Sequence, residues 1–175
     1  MVSVSHTTRP RRDGEMDGIA YHFIDIDSFM GMVDSDQFLE HAKVFDKYYG
    51  TSRNGVESQL NEGKDVILEI DWQGAEKVRQ LMPESISIFI LPPSYQALET
   101  RLTERGEDDP ATVQRRLRDA KNEISHYKEY DFLVINDKFE AALSELRDIL
   151  ASLRENRQVQ QADLSQFVAG LIAET

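Results

Sequence analysis

The chain has 175 residues, 40% hydrophobic and 30% charged, proportions that fit a folded domain with a real core rather than a disordered segment. Its 20 Lys and Arg against 32 Asp and Glu leave a net charge of −12, which argues against a nucleic-acid partner because duplex binders carry a basic surface. Cysteine is absent, which excludes disulfides, thiolate nucleophiles and Cys-based zinc sites; no apolar run reaches the ~18 residues of a membrane span and no signal peptide is visible, so a cytoplasmic protein without a membrane partner is expected.

Short β-rich runs alternate with helical patterns, the signature of an α/β fold in one domain. Ser3 to Ser5 reads as the end of a strand, residues 9–20 as a loop carrying Pro10, Gly14 and Gly18, and Tyr21 to Ile24 as a strand. Asp27 is placed to cap a short helix through about Val33. Gln37 to Phe45 looks extended, Tyr48-Tyr49-Gly50 looks like a turn, and Thr51 or Ser52 caps a helix that Gly63 ends. Val66 to Ile70 is almost continuously apolar, the pattern of a buried parallel strand. Asp71 then caps a helix from about Trp72 to Leu81, stopped by Pro83, and Ile86 to Leu91 is a second buried strand. Pro92-Pro93-Ser94 turns into a helix ending at Gly106. Asp109-Pro110 supplies a cap and a first-turn proline for a helix to about His126, with Val113, Leu117, Ala120 and Ile124 on one face. Phe132 to Ile135 is a third buried strand, Lys138 to Leu153 a long amphipathic helix, and Asp163 precedes a last short helix.

Positive charge is clustered on this acidic chain. Arg9, Arg11 and Arg12 fall within four positions, as do Arg115, Arg116 and Arg118. The run Ser5-His6-Thr7-Thr8-Arg9-Pro10-Arg11-Arg12 gathers hydroxyls and guanidiniums around a proline-stiffened turn, and Tyr21, Tyr48 and Tyr49 add phenolic donors. Guanidinium forks match phosphate oxygens two at a time, so the run fits a phosphate pocket; a structural loop is the other reading. His6, His22, His41 and His126 have no metal-like spacing, and no protein-held metal is expected.

Ser3-Val4-Ser5-His6-Thr7-Thr8-Arg9, Gly14-Glu15, Tyr21-His22-Phe23, Phe38-Leu39-Glu40-His41-Ala42, Tyr48-Tyr49-Gly50-Thr51, Leu68-Glu69-Ile70-Asp71-Trp72-Gln73-Gly74, Arg101-Leu102 with Arg105-Gly106, Arg115-Arg116-Leu117 and Val134-Ile135-Asn136-Asp137 follow one another in an order and spacing that resembles the guanylate kinases. The resemblance runs from Val2 to about Leu153. It implies a three-layer nucleoside monophosphate kinase-like α/β fold with a parallel sheet. A GMP-binding region would lie at about 3–52 and a lid at about 101–120 of a domain covering 1–155, followed by a helical tail, 156–175.

By that resemblance the substrates are GMP and ATP, the latter with Mg2+. Arg9, Arg12, Tyr21 and Tyr49 would hold the GMP phosphate. Glu40 would accept hydrogen bonds from the ring N–H and exocyclic amine of guanine, Ser5 and Thr51 would complete the base contacts, and Asp71 would stand near the guanine amine. Glu69 would point toward metal and phosphates, Arg105 and Arg116 would come from the lid to neutralise the transferring phosphoryl group, and Asn136 would border the adenine of ATP.

One departure stands out. The family opens with a strand, a G-x-x-x-x-G-K-[ST] loop and a helix, and this sequence has no such run; at its Gly63-Lys64 pair Asp65 follows in place of Ser or Thr, and Ser58 stands where the first glycine belongs. The sequence reads as though it started at an internal Met1, near the family's second strand. The acceptor half of the site is expected to be built and the donor half incomplete, with little transfer by these 175 residues alone and with Val66–Ile70 and Ile86–Leu91 bordering a gap or closing over it imperfectly. Two other readings are a catalytically inactive GMP-binding remnant and an interaction module that docks a phosphorylated peptide. Glu40, Ser5 and Thr51 favour guanine over a peptide, which needs no such reader.

Overall fold

Short polar side chains set where the helices begin. In the computed structural model, which describes residues 1–106, 109–159 and 161–173, α1 (Ile26–Asp34), α2 (Arg53–Asn61), α3 (Trp72–Leu81), α4 (Tyr95–Glu104) and α5 (Pro110–Ser125) start after Asp25, Ser52, Asp71, Ser94 and Asp109. Each of these residues accepts a backbone N–H of the first turn, satisfying a donor that has no partner within the helix. Asp25 rather than Asp27 caps α1, with its carboxylate 2.7 Å from Ser28 N. Two acidic residues lie within reach of that helix start, and only Asp25 has the extended backbone a cap requires.

The chain divides into two compact units, Met1–Ser85 and Ile86–Thr175. In the first, β1 (His6–Thr7), β2 (His22–Phe23), β3 (Phe38–Val44) and β4 (Lys47–Ser52) form a sheet in the order β2-β1-β4-β3. β1 and β2 are parallel, and β4 runs antiparallel to both β1 and β3. Tyr48-Tyr49-Gly50 therefore lies inside β4 and is not a turn. The reversal occurs at Phe45 and Asp46, whose positive φ values of 47° and 66° are those of a two-residue hairpin turn with primed geometry. Glycine at 50 has a packing reason instead: a Cβ there would sit 2.8 Å from Phe38 Cδ1. Phe38 in turn stacks on the fully buried Phe29 of α1, with ring centroids 4.6 Å apart.

Val66–Ile70 is extended but does not form the expected buried strand. Among the described residues its pairing is a single parallel bridge between Ile67 and Val2, with Ile67 N donating to Met1 O and Ser3 N donating to Ile67 O. Val66, Leu68 and Ile70 face the cluster of Leu39, Val56 and Val78, while Ile67 on the other side is 45% exposed. One face is packed and the other is open, so the continuous apolar run overstates the burial.

The second unit contains β5 (Ile88–Leu91) and β6 (Phe132–Ile135), paired in parallel from Ile88↔Phe132 to Leu91↔Ile135. The chain is thus an α/β protein, as expected: β5 and β6 pair in parallel, and the four-stranded mixed sheet lies within the region at about 3–52 that the resemblance set apart from the parallel sheet. α4, α5, a 3-10 turn at His126–Glu129, α6 (Phe139–Arg154) and α7 (Ser165–Ala173) complete the unit. α7 is integral to it: Val168 and Leu171 are buried with Leu91 and Ile124, so the tail beyond the resembling region builds core. Gln161 adds to β6 through its side-chain amide, accepting from Leu133 N at 3.0 Å and donating to Leu133 O at 2.9 Å.

Candidate functional site

Glu40 is the most unusual side chain of the first unit, a carboxylate at 3% exposure on β3. A bulge between Phe38 and Glu40 shifts the register, so that Glu40 pairs across the hairpin with the fully buried Thr51. Thr51 Oγ1 donates to Glu40 Oε1 at 2.5 Å. Burial pushes the Glu40 carboxyl above the ordinary glutamate value; the Thr51 hydroxyl opposes that rise and the Asp71 carboxylate adds to it. Asp71, at the start of α3, accepts from Gly74 N at 2.9 Å and from Gln73 Nε2 at 3.1 Å. Two carboxylates therefore converge near the first turn of α3, one buried and one serving as its cap.

A second cluster surrounds Arg9. Its guanidinium meets the Glu15 carboxylate in a fork, Nη1 to Oε2 at 3.0 Å and Nη2 to Oε1 at 2.6 Å, and Nη1 also donates to Pro10 O at 2.9 Å. Glu15 Oε2 accepts from Arg12 N as well, at 2.7 Å, so one carboxylate ties both arginine positions into a loop. The Arg9 fork, followed by the Arg12 backbone N–H, holds the Glu15 carboxyl down at about 2. The Arg9 guanidinium is likewise raised, chiefly by Glu15, with a smaller contribution from a hydrogen bond to Tyr49. It lies 5.4 Å from the Tyr21 ring centroid, and Tyr21 and Tyr49 meet edge to face at 5.9 Å. Burial raises the Tyr21 phenol; Tyr49 adds to the rise, Arg9 opposes it, and Glu69 and Glu15 add more. Arg9, Arg12, Tyr21, Tyr49 and Glu69 therefore share one neighbourhood. Ser5 is half-buried in β1's lead-in, its carbonyl accepting from His22 N at 2.9 Å.

In the second unit, Arg105 is exposed just past α4, and Arg116 is half-buried on α5. Asn136 follows β6, with its N–H donating to Leu91 O at 2.8 Å. Its carbonyl and that of Asp137 are gripped by Arg101 at 2.7 and 3.1 Å, so an arginine on α4 fixes the turn after β6. Part of the segment expected as a lid, residues 107 and 108, lies outside the described residues. Glu15 and Gly74 carry structural parts in the site that sequence reasoning did not assign. Glu15 was findable from its spacing, three residues after Arg12 and six after Arg9; Gly74 was not, because its partner Glu40 is 34 positions away.

The guanylate kinase family model matches residues 1–153. A guanylate kinase of Chromohalobacter salexigens is 53% identical over 98% of this chain and 80% of its own length. One of Vibrio cholerae is 50% identical over 99% of this chain and 84% of its own. Among solved structures, a crystal structure of guanylate kinase from Anaplasma phagocytophilum superposes with a TM-score of 0.76 at 34% identity, covering 97% of this chain and 84% of that one. Matches of this extent include the Glu40, Arg9 and Asp71 segments alike, and on them the chain belongs to the guanylate kinase family.

Proposed function

We propose that the chain acts as a guanylate kinase that uses ATP, carried with Mg2+ as one substrate, to convert GMP to GDP, and that its GMP-reading half is built around Glu40. The buried carboxylate held by Thr51 carries this reading. Guanine offers two adjacent N–H donors, N1–H and the exocyclic amine, which one ionised carboxylate can accept together. Adenine presents an unprotonated N1 on that edge, so AMP would leave the buried charge without a partner. Sites of this kind discriminate strongly, because the wrong ligand leaves desolvated groups unpaired. Thr51 fixes the carboxylate's direction, Asp71 stands on its α3 side, and Ser5 completes the base contacts.

Arg9, Arg12, Tyr21 and Tyr49 hold the GMP phosphate, with Glu15 keeping the arginines in place and Glu69 near the phosphate side. In transfer, a GMP phosphate oxygen forms a bond to the γ-phosphorus of ATP while the bond to the β–γ bridging oxygen breaks, giving GDP and ADP. Charge builds on the moving phosphoryl group, and Arg105 and Arg116 neutralise it, while Asn136 borders the adenine. No G-x-x-x-x-G-K-[ST] run occurs in these 175 residues, so a cradle of that kind for the ATP triphosphate is not among the groups assigned.

The test is calorimetric titration of the chain with GMP, AMP and guanosine. GMP should bind more tightly than AMP by about 10²-fold or more, and Glu40→Ala should erase most of that preference. Equal binding of the two nucleotides by the unaltered chain, or an unchanged preference in Glu40→Ala, would remove Glu40 as the base reader.

A further inference from the structure

Gly74 sits in the first turn of α3, buried and between the two carboxylates of the base-reading region. Nothing about its backbone calls for glycine. Its φ is not in the left-handed region, its N–H is the ordinary first-turn donor taken by Asp71, and alanine would favour the helix. What distinguishes the position is the space beside it. A Cβ at residue 74 would lie 2.7 Å from Glu40 Oε2, 3.2 Å from Glu40 Cδ and 3.2 Å from Ile70 Cβ. The first distance is shorter than a carbon and an oxygen tolerate, so the carboxylate would have to swing away. Its other oxygen is tethered to Thr51 at 2.5 Å on a strand whose register a bulge has set, so a swing moves the group off its present line.

We propose that Gly74 is a specificity-determining positioning residue, whose missing side chain leaves the room in which the Glu40 carboxylate stands and so sets the direction from which it meets guanine. Gly74 has no side chain to offer a substrate. It acts through Glu40, and the same residue's N–H orients Asp71, so one position on α3 aligns both acidic groups of the base site. The inference rests on the reading of Glu40 as the guanine acceptor. A displacement of a fraction of an ångström is enough to spoil a two-point hydrogen bond, since binding constellations of this kind need placement to about 0.5 Å.

The experiment compares GMP and AMP binding by calorimetry for the full chain, Gly74→Ala, Glu40→Ala and the double variant. Gly74→Ala should keep the far-ultraviolet circular dichroism of the parent and lose on the order of tenfold in GMP-over-AMP preference. In the Glu40→Ala background the same alanine should change the preference little, because the group it displaces is gone. A merely structural glycine would weaken both nucleotides alike. A folded Gly74→Ala with the parent preference, alongside a Glu40→Ala that has lost it, would overturn the role of Gly74 while leaving Glu40 as the reader. An unchanged preference in Glu40→Ala would overturn the reader and this inference with it. Should Gly74→Ala not fold, Glu40→Asp is added to draw the carboxylate back by one methylene. Recovery of the fold supports the proposed clash, and continued failure assigns the glycine to packing against Ile70 and overturns it.

Discussion

A glutamate at 3% exposure is costly to ionise, and burial raises its pKa accordingly. The folded state prefers Glu40 protonated more than the unfolded chain does, so this group favours folding at low pH and loses that contribution as pH rises through its raised folded pKa. Ionising the carboxylate therefore works against stability, a cost that the guanine-reading role proposed for Glu40 would offset on binding. Glu40→Gln should therefore leave the melting temperature equal or higher while abolishing most of the GMP-over-AMP preference, as read by thermal denaturation and titration. Glu15 behaves in the opposite sense. Its carboxyl is depressed to about 2, so its contribution is present above the ordinary glutamate pKa of roughly 4.3 and disappears as pH falls through the folded value. Carbon-detected NMR titration should find Glu15 near 2 in the parent and back in the ordinary range in Arg9→Ala. The same variant should weaken GMP by about tenfold or more and guanosine hardly at all, since guanosine lacks the phosphate; equal losses would argue against a phosphate role for Arg9.

At the scale of elements, the helices were legible because their caps are written locally. Asp71 before Trp72–Leu81, Ser94 before Tyr95–Glu104 and Asp109-Pro110 before α5 stand at the starts expected from sequence. The strands were less so. The β3–β4 turn is made by Phe45 and Asp46, of which only Asp46 tolerates positive φ readily and neither is glycine, while Gly50 suggested a turn and turned out to make room for the Phe38 ring. That turn carries strain a glycine would relieve, so Asp46→Gly should stabilise the chain by about 0.5–1 kcal/mol in chemical denaturation, and a loss of stability would contradict the turn geometry. The bridge at Ile67 shows a different limit. Apolar residues report that a segment can be buried on two faces, not that partners stand on both, and Ile67 is nearly half exposed.

Over the whole molecule, the residues assigned to GMP all fall in Met1–Ser85, and Arg105, Arg116 and Asn136 all fall in Ile86–Thr175. The groups assigned to GMP were read from ordered motifs; what the sequence withheld was their mutual arrangement. The Glu40–Thr51 pair depends on a bulge, the Arg9 fork on a carboxylate six residues further along the loop, and the fit of Gly74 on a helix far along the chain. With a net charge of −12, the chain repels anions at long range, and in the proposed reading GMP binds against that field through the local basic cluster of Arg9 and Arg12. Added salt screens the repulsion and the local pairing together, whereas neutral guanosine should respond little; comparing the two ligands from low to physiological ionic strength checks the electrostatic part of the account. The most direct test of its centre is a crystal structure of the chain with GMP. The account predicts guanine N1 and its amine within hydrogen-bond distance of Glu40 and the phosphate among Arg9, Arg12, Tyr21 and Tyr49. Guanine seated away from Glu40, or a phosphate that leaves those four side chains untouched, would contradict it.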